Sequence, residues 1–451
     1  ALVNALWLLI GLIRKGSYQP QPGWARFALQ VVAASALLAI LLAWGSHYFD
    51  WVALRAHSAQ RVLLLAGLMA AAAAFGTAGF SVICIEPDAP ATTEADPRAD
   101  LRSTAFLQAS IPVLERAGLW ARLSEFATPL QVMRIVDAGG ERADEARLTR
   151  EFDAADLSDQ PFGWNLPNWL LRREMVARLR ELPNVTFLPG TATARVMTRE
   201  AEALATLSDG QRISARLVVA ADGRNSTVRE EVGIDVTTTR YGQKALAFAV
   251  AHAIPHNNIS TEIHRSGGPF TLVPLPDRDG SPASSVVWME TGPEVARLAA
   301  LPVAEFEAAI NERSCGVLGA LRLDSARTVW PIITQAAERM VATRVALIAE
   351  AAHVMPPIGA QGLNMSLADL SALLDLAMAN PASLGSAEML AAFERKRHLE
   401  VKARLAGVDL LNRTSMLGEP FLRDLRAGAL NALYSLGPVR KTLMKAGLGV
   451  R

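Results

Sequence analysis

At 451 residues the chain is long enough for two or three domains and a large core. It is 51% hydrophobic and 20% charged with a net charge of +1, which excludes disordered and collagen-like classes and gives no global attraction to nucleic acid. Two distant cysteines, Cys84 and Cys315, and seven scattered histidines provide neither a disulfide framework nor a metal-ligand spacing.

The apolar excess is concentrated at the N-terminus. Residues 1–13 carry no charge, 27–44 extend for eighteen residues without one, and 62–80 for nineteen. A membrane-spanning helix needs roughly 17–25 such residues. The second and third segments are therefore expected to span, and the first to be the end of a longer helix. The loop 14–26 holds Arg14, Lys15 and Arg26, whereas 45–61 holds Arg55 and Arg61 against Asp50. Positive charge favours the cytoplasm, so a spanning 62–80 would leave the rest of the chain on the cytoplasmic face of a bacterial inner membrane. The linker IRKGSYQPQPGWARF and the helix after it resemble the last helices of MurJ-type lipid II flippases, over about the first 70 residues.

From residue 80 the pattern becomes α/β. SVICIEPD (81–88) reads as a buried strand ending in an acid, and LQVMRIVDAG (130–139) and EFDAADL (151–157) as strands of another sheet. REMVARLREL (173–182) reads as an amphipathic helix, NVTFLPG (184–190) as a strand, and 205–223 as a hairpin entering a buried strand. ALAFAVAHAI, GPFTLVPLP and SSVVWME follow as β-rich runs, VALIAEAAH (345–353) as a strand entering a turn, and the chain ends in helices. Alternating βα units interrupted by antiparallel runs predict a nucleotide-binding domain with an inserted sheet domain.

Two motifs carry chemistry. In RLVVAADGRNSTVRE (216–230) a buried strand ends in Asp222-Gly223, ahead of Arg224, Asn225, Ser226 and a helix. Ligands of open α/β sheets bind beyond the carboxyl ends of strands. Gly223 permits close backbone approach, and the helix start offers free N–H groups to a phosphate. Taken alone, Asp-Gly is also an ordinary turn. In VALIAEAAHVMPPIGAQGLNMSLADLSALLDLA (345–377) a strand delivers Glu350, followed by Pro356-Pro357, Gly359, Gly362 and a helix with Asn364 and Ser366 near its start. That arrangement suits a polyol-phosphate cofactor whose ring becomes anionic on reduction.

These motifs resemble the DG and GD fingerprints of flavoprotein aromatic hydroxylases of the para-hydroxybenzoate hydroxylase type. LRSTAFLQAS, PPIGAQGLNMSLAD and the basic C-terminal helices are similar to the UbiH/UbiF/VisC branch of ubiquinone-biosynthesis hydroxylases, over roughly 67–451. The resemblance implies an α/β FAD-binding domain of the GR2 type with an inserted β-sheet substrate domain. Segments 62–127, 168–239 and 333–390 would build the cofactor domain, and 128–167 and 240–332 the substrate domain. Residues 1–61 would be a truncated transmembrane segment and 391–451 basic helices. It also implies that Glu86 holds the adenosine ribose, Arg102 contacts FAD, and Asp222-Gly223 lies at the pyrophosphate. Glu350 would hold the ribityl-phosphate portion, and Gly359, Gly362, Leu363 and Asn364 would lie against the isoalloxazine. His353 and Pro357 would come near the ring. NAD(P)H would reduce the flavin, and one oxygen atom of O2 would pass to a polyprenylated phenol, with other ubiquinone-biosynthesis enzymes as partners.

The sequence departs from the family in two places. Ala349-Glu350 stands where Gly-Asp is usual, adding a Cβ and a methylene. The stretch VLLLAGLMAAAAAFGTAG stands where a strand and G-x-G-x-x-G are usual, and only Gly67 matches the third glycine. Residues 62–80 are thus claimed both as a membrane helix and as the first strand and helix of the FAD domain, and weakened FAD binding is predicted either way. A halogenase-type flavin enzyme is disfavoured because GWNLPNW (163–169) lacks the W-x-W-x-I-P run, whereas an inactive membrane-anchored fusion is the rival of a different class. Cys84 is expected to be a small core hydrophobe. The tail 401–451, with nine Lys/Arg against three acidic residues, reads as basic and amphipathic, suited to an anionic membrane surface.

Overall fold

The computed structural model describes residues 62–416 except 97, 101, 139–147 and 266, together with 441, 442 and 444. The described residues belong to the compact unit Ala59–Arg451. The candidate spans 1–13 and 27–44, the flippase-like linker and most of the basic tail lie outside the described residues.

Residues 62–80 meet one of the two competing expectations, and that one only in part. Val62–Thr77 is one helix of 16 residues, α1, about 24 Å long at 1.5 Å per residue. Among the described residues no helix is long and apolar enough to cross a membrane, so the third predicted span is corrected. The predicted strand is corrected too, because Leu63, Leu64 and Leu65 are helical. Leucine and alanine are strong helix formers, and nothing between them stops the helix from propagating back through the strand positions. A helix apolar on all sides must be buried on all sides: Met69, Ala73 and Ala74 are fully buried. It packs on α2 (Asn168–Glu181), on α3 (Gln361–Ala379) and on strand β1 (Val82–Glu86). The segment is therefore the first helix of the cofactor domain, and among the described residues no strand precedes it.

β1 pairs in parallel with β3 (Val185–Pro189), and β4 (Val218–Ala220) pairs in parallel with β7 (Val345–Leu347). Among the described residues no strand joins the two pairs. Instead α1 touches both β1 and the turn Ala349–Ala351 after β7. Cys84 in β1 is 2% exposed, and burial, reinforced by the charge of Glu86, pushes its thiol up to about 12. It is the small core hydrophobe expected.

The predicted inserted sheet is present and has nine strands. Its long central strand is β5 (Val236–His252), flanked by Ser281–Thr291 and β6 (Thr328–Ala337). Residues 245–252 of β5 are buried throughout, and the two-residue period separates their tasks. Leu246, Phe248 and Val250 pack with Val295, Leu298, Phe306 and Ile310 of the covering helices. Ala245 and Ala249 belong to separate small clusters, Ala245 with Met289 and Ile332. The C-terminal helix α4 (Ala387–Ser415) is 29 residues long and crosses the boundary predicted at 390/391.

Gly67 and Ala349 form a testable contact. A Cβ on Gly67 would lie 3.2 Å from the Cβ of Ala349, which itself adopts a left-handed conformation at φ +54. The methyl group that replaces the usual glycine is thus accommodated by a glycine on α1. Gly67→Ala is expected to cost about 1–3 kcal/mol by overpacking. In an Ala349→Gly background that cost should shrink by about 1 kcal/mol or more, a coupling measurable by urea denaturation of the four proteins. Additive effects would mean that the two positions do not meet.

Candidate active site

Parallel pairing of Val218 with Val345 and of Ala220 with Leu347 brings the ends of β4 and β7, and so both motifs, to one sheet edge. After β7 the chain turns left-handed at Ala349, places Glu350 in a single helical turn, and pairs His353 and Val354 with Ala336 and Gln335 of β6. Pro356 and Pro357 then redirect it, and Gly359 (φ +63) and Ala360 (φ +55) lead into α3. No side chain caps the start of α3, and its first turn carries no acid. Its first N–H groups are therefore available to an electron-rich ligand.

A small open cleft of about 30 Å³ lies here, lined by Glu350, His353, Val354, Met355, Gly362, Leu363 and Ser366. A Cβ placed on Gly362 would meet no protein atom within 4 Å. The cleft wall at Gly362 is bare backbone facing open space, the cradle a flat cofactor ring requires. Ile358 of the same loop packs with Ala245, Met289, Ile332 and Trp330 of the large sheet. An apolar patch of the inserted domain therefore abuts the loop that carries the cleft.

Several expected site residues have other partners. Asn364 does not face the cleft through its amide: its Nδ2 donates to the carbonyls of Ala105 and Ala360, and its Oδ1 accepts from the Leu107 amide and the Ser110 hydroxyl. It binds α3 to strand β2 (Ser103–Leu107). Asp222 accepts from the Ser226 hydroxyl and the Val228 amide, so its carboxylate caps its own helix. Gly223, at φ +99, makes the turn that this cap requires. Pro357 is exposed while Pro356 is buried. Gly67 stands behind the cleft, against Ala349.

Two arginines missed in the sequence connect the motifs. Arg224 Nε lies 3.3 Å from Glu350 Oε2, both side chains mostly buried, and Arg224 Nη1 is buried without a hydrogen-bond partner. The extra methylene of Glu350 thus extends a carboxylate towards the Asp222-Gly223 turn. Arg229 donates Nη1 to the Ala351 carbonyl and Nη2 to the Arg224 carbonyl, both at 2.9 Å. The sequence assigns neither of them a role, because only the parallel β4–β7 pairing brings the second motif to them.

At the β1 end Glu86 is 5% exposed and accepts from the Asp88 amide. Arg102 pairs with Asp100 through Nε at 2.8 Å and Nη2 at 3.1 Å, and its guanidinium lies 4.8 Å over the Trp330 ring. Burial works to raise the Asp100 carboxyl, but the Arg102 charge and hydrogen bonds outweigh it and hold it below the ordinary range. Arg172 on α2, also unforeseen, is 7% exposed beside this pair, and burial pushes its guanidinium down.

The residues fit FAD at the α3 end, where an open glycine wall, an uncapped helix start and Glu350 converge. The glycine-rich loop that would face its pyrophosphate is not among the described residues. Comparison with known proteins agrees with the geometry. Residues 65–407 match the FAD binding domain family. The ubiquinone hydroxylase UbiL of Rhodospirillum rubrum is 34% identical over 383 residues, covering 84% of this chain and 86% of that protein. The 3-demethoxyubiquinol 3-hydroxylase of Escherichia coli is 28% identical over 392 residues, covering 85% and 97%. In fold, the p-nitrophenol 4-monooxygenase PnpA of Pseudomonas putida superposes with a TM-score of 0.69 at 20% identity, covering 85% and 95%. The chain belongs to the FAD binding domain family and is an FAD-dependent monooxygenase.

Proposed function

We propose that the chain hydroxylates an aromatic ring of a polyprenylated ubiquinone precursor, with NAD(P)H as reductant and O2 as co-substrate. The observation that carries this reading is the open Gly362 wall beside the apolar patch of Ala245, Met289 and Ile332, reached through Ile358. FAD, when bound, supplies the redox chemistry and the activation of oxygen. Glu350, Gly362, Leu363 and the first amides of α3 would hold it, with Gly359 shaping the loop, Glu86 and Arg102 at the adenosine end, and Asp222-Gly223 forming the adjoining turn. The sheet patch would exclude water and orient an apolar ring, and His353 would stand at the cleft wall. Cofactor segments 62–127, 168–239 and 333–390 and substrate segments 128–167 and 240–332 would divide this work.

A polyprenylated substrate places the enzyme at the cytoplasmic face of a bacterial inner membrane, beside other enzymes of the same pathway. The exposed Leu399, Leu410 and Leu411 of α4, interspersed with Lys402 and Arg413, support that location. That no strand bridges the two parallel pairs among the described residues favours a second reading, in which FAD binds weakly and turnover is impaired. Purified protein should acquire flavin absorbance on FAD titration, and with NADH and a prenylated phenol yield a product one oxygen atom heavier by mass spectrometry. NADH consumption that yields only peroxide would reject the hydroxylase reading.

A further inference from the structure

The cleft is connected to α4 by a chain of charges that is buried at its inner end and half-exposed at its outer end. His353 Nε2 lies 2.6 Å from Asp369 Oδ2, and Arg397 Nε donates to Asp369 Oδ1 at 2.8 Å. Side-chain exposure is 1% for His353, 0% for Asp369 and 4% for Arg397. Arg397 Nη1 reaches Glu400 at 2.5 Å, and Arg404 joins Glu400 to the side-chain oxygen of Gln361, at the start of α3. Gln361 in turn donates to the Gly359 carbonyl. One ladder of polar side chains therefore ties α4 to both parts of the cleft, its histidine wall and its glycine loop.

Buried ion pairs are poor sources of stability, because desolvation offsets their attraction. Their best-supported use is to fix one arrangement among several. Here the carboxylate accepts from Nε2, so the proton of a neutral imidazole is on Nε2 and Nδ1 is left with its lone pair. Arg397 occupies the other oxygen and prevents Asp369 from turning away. We propose that Asp369 and Arg397 are positioning residues for His353, holding the tautomer in which Nδ1 accepts a hydrogen bond from the ring bound in the cleft. This rests on the reading of the cleft as the flavin site.

The test uses the full chain and FAD itself. Wild type, His353→Asn, Asp369→Asn, Arg397→Met, Arg397→Lys and the His353→Asn/Asp369→Asn double variant are titrated with FAD by flavin fluorescence. The visible band of the bound flavin is then recorded. Asp369→Asn and Arg397→Met should move the band as His353→Asn does, with the dissociation constant raised by less than about threefold, and Arg397→Lys should return it. Because the effect passes through His353, the double variant should shift the band no further than His353→Asn alone. If the buried variants do not fold, Glu400→Gln, at a half-exposed position on the same ladder, should give a smaller shift in the same direction. Equal shifts from Asp369→Asn with and without His353, an unmoved band, or losses of binding and melting temperature in parallel would each overturn the positioning role. A wild-type chain that takes up no flavin would instead overturn the flavin reading of the cleft.

Discussion

Gly362→Val should raise the FAD dissociation constant by at least about 100-fold while leaving the melting temperature of the flavin-free protein within about 2 °C of wild type. The two halves of this result have separate causes. In the folded chain a Cβ at this position meets nothing within 4 Å, so no protein contact is strained. Gly362 is the second residue of α3 and is not left-handed, so a side chain there demands no unusual backbone. Valine's lower helix propensity relative to alanine, about 0.5 kcal/mol, is offset by the entropy glycine loses on folding. The added methyl groups project into the cleft bounded by Glu350, His353 and Leu363. If a flat ring lies on that wall, displacing it by a branched side chain removes its contacts and its approach to the α3 amides. A loss of about 3 kcal/mol is two orders of magnitude in affinity. Equal FAD affinity in the two proteins would mean that the cofactor ring lies elsewhere.

Ala73→Asp should abolish cooperative folding of the FAD-binding domain. Ala73 is fully buried on α1, among Met69, Ala70 and Ala74. The substitution adds volume to a packed core and places a carboxylate where no partner is provided, a combination that exceeds about 4 kcal/mol. That is a large fraction of the stability of an ordinary domain, about 5–15 kcal/mol. The measurement is the loss of the thermal transition, with Thr77→Asp at the helix end as a control for charge on α1. A wild-type melt for Ala73→Asp would show that α1 is not part of the core. The result also separates the corrected reading of 62–80 from a membrane span, since a span removed from the domain would leave the domain's own melt intact.

The motif at 345–377 was legible in the sequence because a strand, an acid, two prolines, two glycines and a helix start follow one another locally. Each carries its own conformational demand, and the observed β7, left-handed turn and α3 meet those demands in order. The inserted sheet was legible for a similar reason, since ALAFAVAH alternates small and large residues with a period of two. The fate of 62–80 was not legible. Nineteen residues without a charge satisfy a bilayer and a buried helix equally, because both are dry surroundings.

The roles of Asn364, Asp222, Arg224 and Arg229 show the same division. Sequence alone determined that the chain carries a flavin-type α/β domain, where its two motifs lie, and that a sheet domain interrupts it. Hydrophobic period and turn chemistry are local properties, and they can be read along the chain. Only the tertiary structure decided which polar groups remain free for a ligand. Asn364 is occupied by β2 and Asp222 by its own helix, whereas Glu350 lines the cleft while pairing with an arginine 126 positions away. Hydrogen-bond saturation is a global property of a buried site: each donor takes whichever acceptor the fold brings within reach, and sequence distance does not enter that choice.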